Sequence, residues 1–350
     1  MLNLRKLLII LIFLAAAPVA NAIETGEPDP LFQDSSVIEI TITAPMNPLL
    51  DKRPDDDYLP GRLAYTEADG SVVELEIGIR TRGNYRRQSR VCPFPPLRLN
   101  INRSQAKSSL FHKQDKLKLV AHCRDNSERY EQNVIKEYLA YRILNTLTDI
   151  SYRVRLARVT YVDSEQKDED RVQYGFFIEH KSRLSKRLGL PAISTERLKV
   201  SDLAGPYSDL TSLFQFMIAN TDFSPVAGAE GEDCCHNSTL FGHEGEPVYA
   251  IPYDFDMSGF VDAPYAEPNP RFRIKRVTQR LYRGRCAYND YLPDSLQKFQ
   301  DNREAIYGLI EQQEQLEEST RKKVRKFVDR FFEVIDNPKR VQREITSQCI

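Results

Sequence analysis

Val248-Tyr-Ala-Ile-Pro-Tyr-Asp-Phe-Asp-Met-Ser-Gly259 is a short apolar run that ends abruptly in two carboxylates, Asp254 and Asp256. Pro252 and Gly259 bracket the acids, so the segment predicts a buried strand that delivers acidic side chains to a loop at its end. Two carboxylates one residue apart repel each other when close, and a chain that keeps them beside an apolar strand supplies a cation. Upstream stands Ile218-Ala-Asn-Thr-Asp222, and between the two segments Cys234-Cys235-His236-Asn237. In chain order the acidic and amide oxygens are Asp222, Asn237, Asp254 and Asp256. Such a set suits a hard divalent cation and the alignment of a hydroxyl.

The first residues read as a leader rather than as part of the fold. Arg5 and Lys6 precede the apolar run Leu7 to Ala17, and Ala20-Asn21-Ala22 is a small-x-small cleavage site. The run falls short of the roughly 20 apolar residues of a membrane span, with an uncleaved anchor as the alternative reading, and no later stretch is long and apolar enough to cross a bilayer. The expectation is therefore an exported protein, periplasmic or extracellular, with no transmembrane segment after signal cleavage. Loss of Arg5 and Lys6 moves the formal charge from −1 to −3. A total so near balance gives no reason to expect nucleic acid as a partner.

Export also governs the six cysteines, Cys92, Cys123, Cys234, Cys235, Cys286 and Cys349. An even number in an oxidising compartment favours disulfides, whose pairing the sequence does not choose. The neighbours Cys234 and Cys235 are expected to bond different partners, because a bridge between adjacent residues is strained. The rival is a zinc site of Cys234, Cys235, His236 and His243, which lacks the usual two-residue spacer.

Roughly 330 residues after cleavage suit two packed lobes better than one core. Residues 37–43 and 72–80 alternate or nearly alternate apolar and polar side chains, and residues 97–101, 116–120, 157–162 and 172–178 give further strands. One helix is expected over residues 130–147. After Glu179 the character turns helical, with an apolar helix over 210–219 and amphipathic helices over 295–313 and 316–335. The domain reading is a signal peptide at 1–22, a strand-rich lobe at 23–180 and a helical lobe at 181–350, the latter carrying the acidic loops.

Four motifs now stand in order: Ile79-Arg-Thr-Arg-Gly-Asn84, Tyr174-Gly-Phe-Phe-Ile-Glu179, Ile218-Ala-Asn-Thr-Asp222 and Ile251-Pro-Tyr-Asp-Phe-Asp256. Together they resemble the CotH-type kinase-like family, named for a spore coat protein, across roughly Val72 to Tyr265. The resemblance implies an α+β, two-lobed atypical protein-kinase-like fold with a strand-rich N-lobe and a helical C-lobe. It also implies ATP with magnesium or manganese, and transfer of phosphate to a hydroxyl, as on protein Ser or Thr. Asp222 matches the catalytic aspartate that accepts the hydroxyl proton. Asn237 and Asp254 match metal ligands, and Asp256, standing where a kinase Asp-Phe-Gly has glycine, serves as a second ligand or a hydrogen-bond partner.

The cation for the phosphates is open between Arg98 and Lys118, with Glu137 as its acidic partner on the helix. Arg82 and Gly83, with Arg80 and Asn84, are placed over the phosphates, while Arg86, Arg87 and Arg90 are read as solvated. Glu179 falls in the connector that would contact adenine, or is an exposed hinge charge. Because ATP is scarce outside a cell, the rival functions are a catalytically silent domain that binds a partner or surface polymer, and nucleotide or sugar-phosphate transfer.

Overall fold

The structure is a computed structural model that describes residue 23, residues 25–229 and residues 231–350. The expected leader at 1–22 lies outside the described residues. β1 (Ile38–Ala44), α1 (Met46–Lys52), β2 (Leu59–Thr66), β3 (Val72–Thr81), β4 (Leu97–Ile101) and β5 (Lys116–Val120) come first. α2 (Glu128–Leu147) then leads to the antiparallel pair β6 (Val154–Asp163) and β7 (Arg171–Ile178). β7 pairs with β5, and β6 returns beside β1 in parallel, from Ile38 opposite Ala157 to Ala44 opposite Asp163. The order β1-β2-β3-β4-β5-β7-β6 thereby closes into a seven-stranded barrel.

That closure corrects the expected two-lobed kinase-like architecture. Seven strands form a mixed barrel with both edges of β1 used, in place of a separate strand-rich lobe. Alternation explains how the interior fills. Ile40 and Ile42 of β1, Ile77 and Ile79 of β3, Leu97 and Leu99 of β4, and Leu117 and Leu119 of β5 all point into one apolar core. Alternation reveals which side chains face inward but not which strand lies next to which. The parallel β1–β6 pairing joins segments more than a hundred residues apart, and local pattern carries no trace of it.

The remaining elements are α3 (Lys181–Leu188), β8 (Ala192–Ile193), α4 (Gly205–Met217), β9 (Ser238–Phe241), β10 (Tyr249–Pro252), α5 (Leu292–Asp301), α6 (Arg303–Glu311), α7 (Glu318–Ile335) and α8 (Pro338–Glu344). β10, β9 and β8 make a small antiparallel sheet. A second core joins α2 and the outer faces of β6 and β7 to α4, α5, α6 and α7. It holds residues from both sides of position 180. Asn302 ends α5 and begins α6, so the helix expected over 295–313 is broken in two. Among the described residues no helix is long and apolar enough to cross a membrane.

All six cysteines are paired, as Cys92–Cys123, Cys234–Cys235 and Cys286–Cys349. The neighbours therefore bond each other, contrary to expectation, and the zinc alternative loses its thiolates. Cys92–Cys123 fixes the segment after β3 to the loop after β5, where Phe94 and Cys123 also form a backbone bridge. Cys286–Cys349 anchors the C-terminal tail across 63 residues of sequence. A loop of that length predicts a loss of about 2–4 kcal/mol when both cysteines become serine. Urea unfolding under oxidising conditions measures it, and an unchanged midpoint would show that the tail stays docked without the bridge.

Candidate functional site

The register of the barrel places three cations side by side. Arg80 on β3 stands opposite Arg98 on β4, and Arg98 stands opposite Lys118 on β5. Each alternates with inward aliphatic residues, so all three leave the barrel on the same outer face. Like charges directly opposite one another destabilise a sheet unless something negative lies over them. The Arg80 guanidinium sits 5.2 Å from the centre of the Tyr58 ring, and the Lys118 ammonium 4.9 Å from that of Tyr253. Nε of Arg80 and Nε of Arg98 are buried without a partner among the described residues. Burial, reinforced by Arg82 and Arg98, pulls the Lys118 ammonium down to about 7.

Beyond β3 the chain turns at Gly83, whose φ of 86° is a conformation that side chains resist. Arg86 then enters the interior, against the expectation that it is solvated. Its Nη1 donates to Glu137 Oε2 at 3.1 Å, its Nη2 to Asp254 Oδ1 at 2.9 Å, and its Nε lies 3.1 Å from Asp256 Oδ2. Glu137 from α2 thus pairs with Arg86 rather than with Arg98 or Lys118. One guanidinium faces three carboxylates. Burial, with the neighbouring carboxylate charges, pushes both Glu137 and Asp256 up against the pull of Arg86. For Asp254 burial acts in the same sense, but Arg86, Arg82 and Lys118 outweigh it and hold the carboxyl below its usual range.

The acidic loop is fixed from several directions. Phe255 is buried against Tyr141 and Phe214, which sets Asp254 and Asp256 on either side of an anchored ring. The Asp254 amide donates to the Tyr141 hydroxyl at 2.8 Å. Gly259 N and Phe260 N donate to the carbonyls of Ala219 and Ile218, tying this loop to the end of α4. A Cβ on Gly259 would lie 2.4 Å from Val277 O, so that close approach requires glycine.

Asp222 follows α4 in a tight turn in which its own amide donates to Asn220 Oδ1. Arg283 holds the turn through the carbonyls of Thr221 and Phe223. His236 Nε2 lies 2.8 Å from Asp222 Oδ1, and Asn237 Nδ2 donates to Asp222 Oδ2 at 3.0 Å. Hydrogen bonding to Asp222 raises the His236 imidazole above its ordinary value despite its burial. With its NH₂ engaged, Asn237 keeps its amide oxygen for another partner. Tyr253 N donates to Asn237 O, joining this pair to the acidic loop.

A cleft of about 620 Å³ gathers these groups. Of the residues expected from sequence, Asp222, Asn237, Asp254, Asp256, Arg82, Gly83, Arg98 and Lys118 all line it. Glu137 lies just beneath, through Arg86. Glu179 does not join them: it is buried in an ion pair with Arg187, which also donates to the carbonyls of Asp149 and Ser151. That placement rules out an exposed hinge charge. Sequence pattern carries no sign of the burial of Arg86 or of the orienting role of His236, because neither sits in a periodic element. No protein-family model matches this chain, and no characterised protein matches its sequence.

Arg86→Met removes the cation from three carboxylates, of which Glu137 and Asp256 are buried, and is expected to cost about 3–5 kcal/mol near neutral pH. Acids with raised folded-state pKa values destabilise the fold where they must ionise, so the deficit should shrink as pH falls from 8 toward 5. Denaturation of wild type and variant across that range tests both parts. A small deficit that ignores pH would mean that the guanidinium does not neutralise the cluster.

Proposed function

We propose that this chain is an exported phosphotransferase that moves a phosphoryl group from ATP to a hydroxyl on a protein or polymer acceptor. The observation that carries the reading is the row Arg80, Arg98 and Lys118 sharing one cleft with Asp222, Asn237, Asp254 and Asp256. It rests on this site and not on a kinase-like architecture. The four ordered motifs that resemble the CotH-type family support it independently, and three disulfides support the exported setting.

The donor set fits a hard divalent cation. Among the described residues no three His, Cys, Asp or Glu side chains converge as a ready cage. Magnesium and manganese commonly need only one or two carboxylates when phosphate oxygens complete the shell. Asp254, Asp256 and the amide oxygen of Asn237 would hold the ion. When bound, it supplies neutralisation of phosphate charge and in-line alignment.

The chain's own residues account for the rest. Arg80, Arg98 and Lys118 bind the anionic phosphate oxygens, and a phosphate over Lys118 restores the charge that burial opposes. Gly83 lets the backbone beside Arg82 approach closely. Asp222 accepts the acceptor hydroxyl's proton as the new P–O bond forms and the bond to the nucleoside diphosphate breaks. His236 and Asn237 hold the Asp222 carboxylate in one orientation, while Arg86 fixes Asp254 and Asp256. The ion pairs of Arg86 to both those acids favour a second reading, a domain that binds a partner or polymer without turnover.

Thermal melting of the chain from residue 23, with ATP and manganese or magnesium, tests the site. At a hundred times its dissociation constant a nucleotide contributes about 2.7 kcal/mol, and Asp254→Ala should abolish that metal-dependent stabilisation. No stabilisation by any nucleotide in the folded, oxidised protein would sink the proposal. Asp222→Asn is expected to keep nucleotide binding and lose transfer by roughly 10²–10⁴-fold, followed by mass spectrometry of acceptor hydroxyls. Binding without transfer in wild type would favour the silent domain.

A further inference from the structure

Between the acidic loop and α5 runs a segment without helix or strand whose charge is all of one sign. From Arg271 to Arg285 it has seven arginines and lysines, and no acid stands anywhere from residue 268 to residue 289. The segment divides into a root and a crest. At the root, Val277 lies against Gly259, Arg280 donates to the carbonyl of Met217, and Arg283 donates to those of Thr221 and Phe223. These contacts tie it to the end of α4 and to the turn that carries Asp222. On the crest Arg271, Arg273, Lys275 and Arg276 are all exposed. Its hydrogen bonds, such as Arg271 N to Asn269 Oδ1 and Lys275 N to Gln279 Oε1, use the backbone, and no crest cation makes a salt bridge among the described residues.

Phe272 connects the crest to the site. The Arg283 guanidinium lies over two rings, 4.5 Å from the centre of Phe272 and 4.9 Å from that of Phe223. Phe223 directly follows Asp222. Burial and Arg285 pull the Arg283 guanidinium down, and Asp222 is near enough to oppose them. The crest therefore flanks the residue assigned to the acceptor hydroxyl. None of its four cations lines the cleft, so they meet what is attached to the reacting group rather than the group itself.

The charges specify what that attachment would be. Four exposed cations within six residues repel one another, on a chain whose total after cleavage is −3. A partner must bring the anions. Three of the four are arginines, whose forked guanidinium pairs in bidentate fashion with carboxylates. The sign is not shared by the whole mouth, because Glu232 lines the cleft with Asp222 and its neighbour Asp233 is exposed. A polymer charged at every unit would meet those acids as well as the cations. A peptide with carboxylates on one flank of its hydroxyl residue meets the cations alone. Phe272 and Ile274, half-buried between the cations, offer its apolar side chains a surface.

We propose that residues 271–276 dock the acceptor, an acidic peptide whose carboxylates pair with Arg271, Arg273, Lys275 and Arg276 while its serine or threonine reaches Asp222. As an acceptor site the segment rests on the phosphotransfer reading; as a peptide-binding surface it does not.

Fluorescence anisotropy tests it, with labelled peptides that carry glutamates before or after one serine and with the same peptides carrying glutamine instead. Wild type should bind an acidic form about tenfold or more tightly than its glutamine counterpart, and less tightly as salt rises. Arg273→Glu with Arg276→Glu should cut that affinity about tenfold or more and keep the nucleotide-dependent rise in melting temperature. Arg271→Gln with Lys275→Gln provides a second variant should the first fail to fold. Asp254→Ala, in the cleft, should bind the peptide as wild type does. Equal binding of acidic and glutamine peptides, indifference to both variants, or tighter binding of a single-stranded oligonucleotide or of phosphatidylglycerol vesicles would each overturn the assignment. Peptide binding without stabilisation by any nucleotide would sink the transfer reading and leave the surface standing. Nucleotide stabilisation without peptide binding would do the reverse.

Discussion

One guanidinium holds this molecule's parts in register. Arg86 comes from the segment after β3, Glu137 from α2, and Asp254 and Asp256 from the loop after β10. A single buried side chain therefore links the barrel, the helix that packs on it and the acidic loop. A lone positive charge cannot neutralise three carboxylates. The remainder is settled by protonation, by the cations on the facing strands, or by a bound ion. The cleft is electrostatically incomplete, which is the condition under which a ligand gains most from binding.

The barrel supplies the opposite charge by the same logic of position. β3, β4 and β5 pair so that Arg80, Arg98 and Lys118 fall in one row, each beside a like charge. Nothing in barrel packing requires that arrangement, since the inward residues alone fill the core. Outward positions of a small barrel are ordinarily solvated with mixed charge, and a row of one sign costs stability. A binding surface for anions gives that cost a reason.

Much of this was readable from residues. The strands at 97–101 and 116–120 follow from alternation, and α2 follows from its apolar spacing. The convergence of Asp222, Asn237, Asp254 and Asp256 was anticipated by residue type and order. Three things were not legible, each for a physical reason. Barrel closure depends on a parallel pairing between distant strands, which side-chain period does not encode. Arg86 sits beside Arg87 in an irregular loop, and its burial is decided by carboxylates that arrive from 51 and 168 residues away. Glu179 ends a strand as a solvent-facing charge would. What buries it is Arg187, in the last turn of α3 after the same bend.

Backbone strain marks the same place as the charges. Asn237 and Asp254 have φ values of 50° and 62°, a region that costs non-glycine residues of order 1 kcal/mol or more. Such conformations persist only where the surroundings over-determine them. Here the Asn237 carbonyl accepts from Tyr253 N and its amide donates to Asp222, while Asp254 is held by the Tyr141 hydroxyl and Arg86. Two strained residues, each fixed at backbone and side chain, lie on one wall of a cleft whose other wall is a row of cations that form no salt bridge among the described residues. Relaxing either residue would gain local stability but move an oxygen donor away from those cations. The fold thus retains an arrangement that its own stability opposes, and the geometry of the oxygen donors is what that opposition preserves.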